Sequence, residues 1–441
     1  MRPRITVDEI SVHDRTEVQY SVSYSRRLQR FLRDIDPYIR YSEDVSDVPE
    51  SILAVPLLAT LSPVAWIRGA DIYIDEIDES FRRALPRLYD GYAQLYPNAP
   101  FEAKSSLHYK DLVDNGSPNP DSEESRSGVL FTGGVDSTTT YLRHRDQQPH
   151  LITVRKETET RENAWKQQRR MIDAFAAENE LTAHAIETNI KSIVKKFMVN
   201  LYHRHQLNES WDRAMFFGIG YPGFTAPLAY KHGLTNIYQS ADYLPHKRYP
   251  KSTQPLLVDN LRWGETRVKS DAGELTRQNK IELLGTHFAD KETNWEVSSC
   301  DYGGDASLSC NHCETCFHTI TGFIVANYDP AAFGFEVDTG TFEEIKSHLN
   351  DREFDSDSGK LRFWLELQER ADPSQINLPY EGVTDFVAWL ADATIAEEWS
   401  RPLPVPKPEY ESSMKRRLCI ALPYPLDAWL IRWYFDKSDR R

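Results

Sequence analysis

A chain of 441 residues is longer than one ordinary domain, so we expect two or three. Hydrophobic residues make up 40% of it, which is enough to build buried cores. Its net charge of −15 argues against broad binding to nucleic-acid backbones, because phosphate contacts need a basic surface.

The first 113 residues predict an accessory α+β domain. Residues 17–24 alternate polar and apolar side chains, the period of a half-buried strand, and residues 79–96 repeat apolar side chains at helical spacing. The charged N-terminus leads into no apolar core of signal-peptide type. The longest apolar run, residues 52–66, contains two prolines and is too short to cross a bilayer, so we expect a buried, bent element. These features predict a cytoplasmic protein with no membrane partner.

Residues 114–127 are polar and acidic and predict an exposed linker. Beyond it, short apolar runs alternate with helical patterns: strands at 128–131, 151–154, 183–186 and 236–240, and helices at 137–144, 162–178 and 224–232. This alternation predicts an α/β domain over residues 128–330, with a parallel sheet covered by helices on both faces. Ligands of such sheets bind beyond the carboxyl ends of the strands.

Residues 331–441 are mostly helical in pattern and predict a helical extension. The helices are expected at 343–349, 360–371 and 383–398, and an aromatic-rich end follows at 429–435.

A glycine turn between the first predicted strand and helix of the α/β domain offers a phosphate site. Two glycines let successive N–H groups point at one anion, and the helix adds its positive end. Hydroxyl groups supply further donors, and Asp136 is suited to hold Mg²⁺. A plain strand-to-helix connection with a good N-cap is the alternative. The predicted phosphate-binding residues are Phe131, Thr132, Gly133, Gly134, Val135, Asp136, Ser137 and Thr138.

Four of the five cysteines lie in one short segment with metal-ligand spacing: Cys300, Cys310, Cys313 and Cys316. Four thiolates with no open position predict a structural zinc site, and an iron–sulfur cluster is the main alternative. His312 and His318 lie nearby but are surplus to a complete four-cysteine set. Cys419 stands alone between apolar residues and is predicted to be a core residue.

The sequence LFTGGVDSTT resembles the SGGxDS signature of the PP-loop ATP pyrophosphatases, with Thr132 in place of the first serine. The resemblance implies the fold of that superfamily, whose members join AMP to a carboxylate or amide oxygen and release pyrophosphate. A nucleophile then displaces AMP. The turn also lacks the lysine of a Walker loop, so transfer of the γ-phosphate is not expected.

Three further segments resemble the 7-cyano-7-deazaguanine synthases within this superfamily. Residues 294–304 with the three following cysteines are similar to that family's zinc segment. Gln239-Ser240-Ala241-Asp242-Tyr243 resembles its Asp-Tyr segment, and Thr276-x3-Lys280 resembles its Thr/Ser-Lys helix start. The candidate catalytic residues are therefore Asp136, Ser137, Asp242 and Lys280. The resemblance spans residues 128–323, under half of the chain.

The chain departs from that family where the family binds its substrate. Arg155-Lys156-Glu157-Thr158-Glu159 replaces a Tyr-Gly-Gln-Arg-His stretch, and Phe317-His318 follows the cysteines in place of an arginine. We expect AMP- and pyrophosphate-forming activation of a carboxylate or amide, with a deazapurine as the candidate acid, followed by attack of an amine or ammonia. The expected cofactors are ATP, Mg²⁺ and Zn²⁺.

Two other functions are left open by the sequence. One is a PP-loop enzyme that modifies tRNA or a nucleobase, against which the acidic balance counts. The other is a partner-dependent protein that modifies another protein, for example in a defence system, and binds it through the terminal additions. A homodimer also stays open.

Overall fold

The computed structural model describes residues 2–101, 105–116, 126–155, 162–241, 251–289, 295–300, 308–351 and 358–395. These residues form the strands β1 (Arg4–His13), β2 (Glu17–Tyr24), β3 (Tyr38–Tyr41), β4 (Asp71–Asp78), β5 (Leu107–Val113), β6 (Arg126–Leu130), β7 (His150–Val154), β8 (Ala183–Thr188), β9 (Leu234–Ser240), β10 (Arg262–Trp263) and β11 (Thr266–Asp271).

The helices of the described residues are α1 (Glu50–Leu53), α2 (Val55–Arg68), α3 (Glu79–Leu95), α4 (Val135–His144), α5 (Glu162–Glu178), α6 (Lys196–Leu207), α7 (Gly220–Phe224), α8 (Ala226–Lys231), α9 (Pro255–Val258), α10 (Arg277–Phe288), α11 (Glu314–Val325), α12 (Thr339–Asp351), α13 (Ser358–Arg370) and α14 (Val383–Asp392). Short 3₁₀ turns lie at Arg145–Gln147, Ile190–Ile193, Pro330–Phe333 and Pro373–Gln375, and a π-helical turn at Asp212–Phe216.

One large, mostly parallel sheet contains all of these strands. Its order is β10-β11-β9-β6-β7-β8-β3-β2-β1-β4-β5. The predicted parallel strands lie together as β8-β7-β6-β9, and β11 continues them on the far side of β9. The chain runs outward from β6 through β7 to β8 and then crosses back to β9. The order therefore reverses between β6 and β9, and ligands of open α/β sheets bind at such a reversal.

Helices cover both faces of the sheet, as the alternating pattern predicts. Val129, Leu151 and Tyr238 face a core shared with α4, α5, α10 and α11. The neighbouring Ile152 and Ile237 point the other way, into a core shared with α1, α2, α7 and α8. Side chains of a strand alternate between faces, so strands buried on both sides must be apolar throughout.

The N-terminal residues extend this sheet and do not form a separate one. Ile39 of β3 pairs with Thr188 of β8 in an antiparallel register, and β2, β1, β4 and β5 follow outward. The predicted strand at 17–24 and helix at 79–96 are confirmed as β2 and α3. The apolar run 52–66 forms the end of α1 and most of α2, whose residues are buried nearly all round, as expected for a helix enclosed in a core.

The predicted helix at 224–232 is confirmed as α8 (Ala226–Lys231), and the sequence missed the short helix α7, which ends just before it at Phe224. Pro227 opens α8, and a proline at that place cannot continue the hydrogen bonding of a preceding helix. Helices α12, α13 and α14 form much of the predicted extension, whereas residues 117–125 of the linker, Cys419 and the segment 429–435 lie outside the described residues. No helix among the described residues has the length and apolar character needed to cross a membrane.

Candidate functional site

The predicted phosphate turn lies at the reversal of strand order, between the end of β6 and the start of α4. Gly133 has φ +76°, a left-handed conformation that favours glycine, and Gly134 is the N-cap residue of α4. The Ser137 hydroxyl ties the turn together: it accepts from the Thr132 N–H at 3.2 Å and donates to the Gly134 carbonyl at 3.2 Å. The sequence prediction of a glycine turn leading into a helix is therefore confirmed.

The first turn of α4 presents backbone N–H groups that its own helix cannot satisfy. Gly134 has no side chain to cap them, and within the described part of the chain no other side chain does so. The aligned peptide dipoles give this end of the helix a partial positive charge. The turn therefore has the geometry of an anion site.

The three predicted hydroxyl donors differ in what they can reach. Thr132 is half-buried and is the most accessible of the three. Ser137 is occupied within the turn, as its bonds to Thr132 and Gly134 show. Thr138 is fully buried, and its hydroxyl has no partner among the described residues. Thr132 is thus the most accessible of the three hydroxyls, and its Oγ1 also lies 3.2 Å from Ser137 Oγ within the turn.

Asp136 joins the turn to α10 through two ion pairs. Its Oδ1 accepts from the Lys280 ammonium at 2.8 Å, and its Oδ2 accepts from the Arg277 guanidinium at 2.6 Å. The Thr276 side chain caps α10 in a reciprocal capping box with Asn279, which starts the helix where both cations reach the turn. The sequence analysis predicted Lys280 as a site residue but not Arg277. Arg277 could have been found because it lies three residues before Lys280, on the same face of the helix.

Lys280 also spans the strand reversal itself. Its ammonium donates to the Ala241 carbonyl at 2.7 Å, directly after β9, as well as to Asp136 after β6. Its side chain is only 1% exposed, so it holds the two strand ends together and does not face solvent. Asp242, the other predicted catalytic residue, lies outside the described residues.

The charges at this site favour an anion. Burial alone would raise the pKa of the Asp136 carboxyl, but Lys280 and Arg277 hold it at about 2, below its ordinary value of 3.8. Two cations against one carboxylate leave one net positive charge beside the turn. Each Asp136 oxygen accepts from one cation and keeps a second lone pair, so the role of this carboxylate as a Mg²⁺ ligand stays a prediction.

The lowered pKa of Asp136 predicts a pH dependence of stability. The ionised carboxylate contributes its full stabilisation above pH 3.8, the pKa of the unfolded state. That contribution is lost as the pH falls through the folded-state pKa of about 2. The free energy of unfolding of wild type minus that of Asp136→Asn should therefore stay constant from about pH 7 to 5 and shrink below about pH 4. Urea unfolding of both proteins at several pH values measures it. A difference that keeps its size down to pH 3 would contradict the ion pairs.

The four predicted metal ligands come together at the start of α11. Their sulfur atoms all lie within 4.8 Å of one another, and Cys316 Sγ is 3.8 Å from that of Cys310 and 3.6 Å from that of Cys313. A metal bound tetrahedrally at about 2.3 Å from each sulfur sets the sulfurs about 3.8 Å apart. The cluster can therefore hold a metal ion such as zinc.

Groups around the cluster support metal binding. The Cys310 N–H donates to Cys300 Sγ at 3.3 Å, and the Ser299 hydroxyl lies 3.0 Å from Cys316 Sγ. Hydrogen bonds of this kind orient metal ligands and stabilise thiolate charge. The surplus His318 is buried away from the four sulfurs, among aromatic residues of α13.

The cysteine cluster and the phosphate turn are structurally connected. The Ser298 N–H, two residues before Cys300, donates to the Gly133 carbonyl at 3.1 Å. Thr319, three residues after Cys316, has its hydroxyl 3.5 Å from Arg277. A metal bound by the cysteines would therefore fix the position of Ser298, which contacts Gly133 of the turn, and of Thr319, which lies beside Arg277.

Comparison of the chain with models of protein families, with curated proteins and with solved structures finds no match. The function is therefore inferred from the residues of the site.

Proposed function

We propose that this chain binds ATP at the turn between β6 and α4 and splits it at the α-phosphate to activate a carboxylate or amide. The activated oxygen carries AMP, pyrophosphate leaves, and an amine or ammonia then displaces AMP. A deazapurine acid is the substrate class that the sequence resemblance favours. The observation that carries the proposal is the set of uncapped N–H groups at the strand reversal, beside a site with net positive charge.

Each group at the turn has a role in this proposal. The N–H groups from Gly133 to Asp136 bind the pyrophosphate as its charge develops, which lowers the barrier because the donors are already oriented. Asp136 positions Arg277 and Lys280, and these cations raise the local potential for the triphosphate. The Thr132 hydroxyl is the nearest accessible side-chain donor. Zinc at the four cysteines would be structural, and no step of the proposal passes through a metal bound by Asp136.

The arrangement also supports the finer fold expectation of a PP-loop domain. The parallel strands follow the order β8-β7-β6-β9-β11, with the phosphate turn after the first of them in the chain. That order places the turn and the end of β9 side by side, where an adenine nucleotide bound to such a sheet would lie. We include the PP-loop fold in the proposal on this basis.

The nucleotide products test the proposed reaction. Full-length protein is incubated with ATP, Mg²⁺ and a panel of carboxylic acids and amides that includes deazapurine acids, with and without ammonia. AMP and pyrophosphate in equal amounts, dependent on one of the acids, are the expected products. Release of ADP and phosphate would contradict the proposal, and so would the absence of ATP binding in calorimetry.

The glycine turn yields a matched pair of variants. Gly133→Ala should weaken ATP binding at least about tenfold, equal to about 1.4 kcal/mol, because alanine at φ +76° strains the turn itself and its added Cβ displaces the flexible end of Met171. Gly233→Ala also forces alanine to a positive φ, +61°, but its Cβ would meet nothing within 4 Å.

Gly233→Ala therefore controls for backbone strain, which costs about 1–2 kcal/mol in each variant. Calorimetric titration with ATP measures both dissociation constants. If the two variants bound ATP with equal affinity, the turn at Gly133 would not be part of the ATP-binding site.

A further inference from the structure

A second cluster of metal-binding side chains lies at the opposite edge of the parallel strands. His150 is the first residue of β7, His184 is the second residue of β8, and His232 lies two residues before β9. Parallel strands bring their amino ends to one edge, so three histidines distant in sequence meet there. This edge is the one away from the phosphate turn, which follows the carboxyl end of β6.

The three imidazoles are close enough to share one ion. One nitrogen atom from each ring can be chosen so that all lie within 4.8 Å of one another. His150 Nδ1 and His184 Nε2 are 2.8 Å apart. Ligands at about 2.0–2.1 Å from a tetrahedral zinc ion lie about 3.3–3.4 Å apart, so a small outward movement of these rings would admit the ion.

Glu43 hydrogen-bonds to two of these rings, as carboxylates commonly do to histidines that bind a metal. Its Oε1 accepts from His184 Nδ1 at 2.6 Å, and its Oε2 accepts from His232 Nε2 at 2.8 Å. With those nitrogens protonated, His184 Nε2 and His232 Nδ1 carry the free lone pairs. Histidine ligands of metals commonly donate their second N–H to a carboxylate, which fixes the tautomer and makes the ligand more basic.

We propose that His150, His184 and His232 bind one divalent transition-metal ion of the zinc class, with Glu43 orienting the last two. Imidazole nitrogen suits zinc, copper, nickel and iron, and three such ligands leave a fourth position for water. The site is separate from the cysteine cluster in place and in ligand type. Glu43 follows β3 of the N-terminal region, so the ion would tie that region to the edge of the parallel strands.

Zinc content of the full-length protein tests the site. The protein is loaded with excess Zn²⁺ and desalted, and zinc per chain is measured by mass spectrometry. Two equivalents are expected in the wild type, one for each cluster. The pair of changes His184→Asn and His232→Asn should remove one equivalent, and Cys313→Ser with Cys316→Ser should remove the other.

X-ray absorption at the zinc edge decides the question even if a variant fails to fold. The loaded wild type should show both sulfur and imidazole nitrogen in the first shell. A wild type that holds one equivalent in a shell of sulfur alone would overturn the proposal, because the histidines would then form only a hydrogen-bonded cluster. The result does not depend on ATP, so the proposed function can fail while this site stands.

Discussion

Replacing Asp136 by alanine is expected to lower the free energy of unfolding by about 3 kcal/mol, the lower end of the range for breaking a buried ion pair from one side, because the Asp136 side chain is itself 38% exposed. The change leaves the Lys280 ammonium, 1% exposed, with the Ala241 carbonyl but without its carboxylate. It also leaves Arg277 and Lys280 as two neighbouring cations with no charge between them. Urea unfolding at neutral pH measures the loss.

Two further variants show whether the buried charge is the cause. Asp136→Ala combined with Lys280→Met should recover a large part of the loss, because no uncompensated ammonium is then buried. Asp75→Ala breaks the exposed pair with Lys110, in which the Asp75 side chain is 57% and the Lys110 side chain 72% exposed, and should leave the free energy of unfolding almost unchanged. A double variant less stable than Asp136→Ala alone would show that Lys280 stabilises the strand ends without help from Asp136.

The second large effect is expected from Cys316→Ser. Structural zinc contributes about 10–16 kcal/mol of binding free energy in small domains, so a lost ligand should lower the free energy of unfolding by at least about 2 kcal/mol. Cys316 is the fully buried member of the cluster, and its α11 continues to Thr319 beside Arg277. The variant should therefore lose one metal equivalent and weaken ATP binding as well. Metal analysis, thermal unfolding and calorimetry measure the three effects.

Cys419→Ser is the control, because it makes the same chemical change more than 100 positions away from Cys316 in the sequence. It should keep the full metal content. If Cys316→Ser retained its metal and its stability, the four sulfurs would be free cysteines and not a metal site. If it lost the metal but bound ATP normally, the contact between Ser298 and Gly133 would not transmit the effect to the turn.

The sequence predicted the parts of this protein that depend on neighbouring residues. The alternation of apolar runs with helical patterns predicted β6, β7, β8 and β9 and the helices α4, α5 and α8, but not α6, because periodicity reports which face of an element is buried. The phosphate turn was also local, since a glycine pair between a strand and a helix is written in seven consecutive residues. The cysteine spacing was equally direct. Ligands close in sequence need little tertiary structure to meet.

The short N-terminal strands were harder to predict. Of β1, β2 and β3, only the regular alternation of β2 was distinctive, and nothing in the sequence indicated that β3 would pair with β8. Strand pairing joins residues far apart in the chain, and many pairings satisfy the same local pattern. For that reason a predicted accessory region extends the central sheet in the structure.

The electrostatic sites depended on the same long-range geometry. Asp136 meets Arg277 and Lys280 across more than 140 positions, since α10 packs against α4 only in the folded chain. His150, His184 and His232 carry no spacing motif and meet only because parallel strands align their amino ends. The local pattern of the sequence thus predicted the glycine turn and the cysteine cluster. The fold decided that Asp136 pairs with Arg277 and Lys280 and that the three histidines meet, because only the chain topology brings residues distant in sequence within a few ångströms of one another.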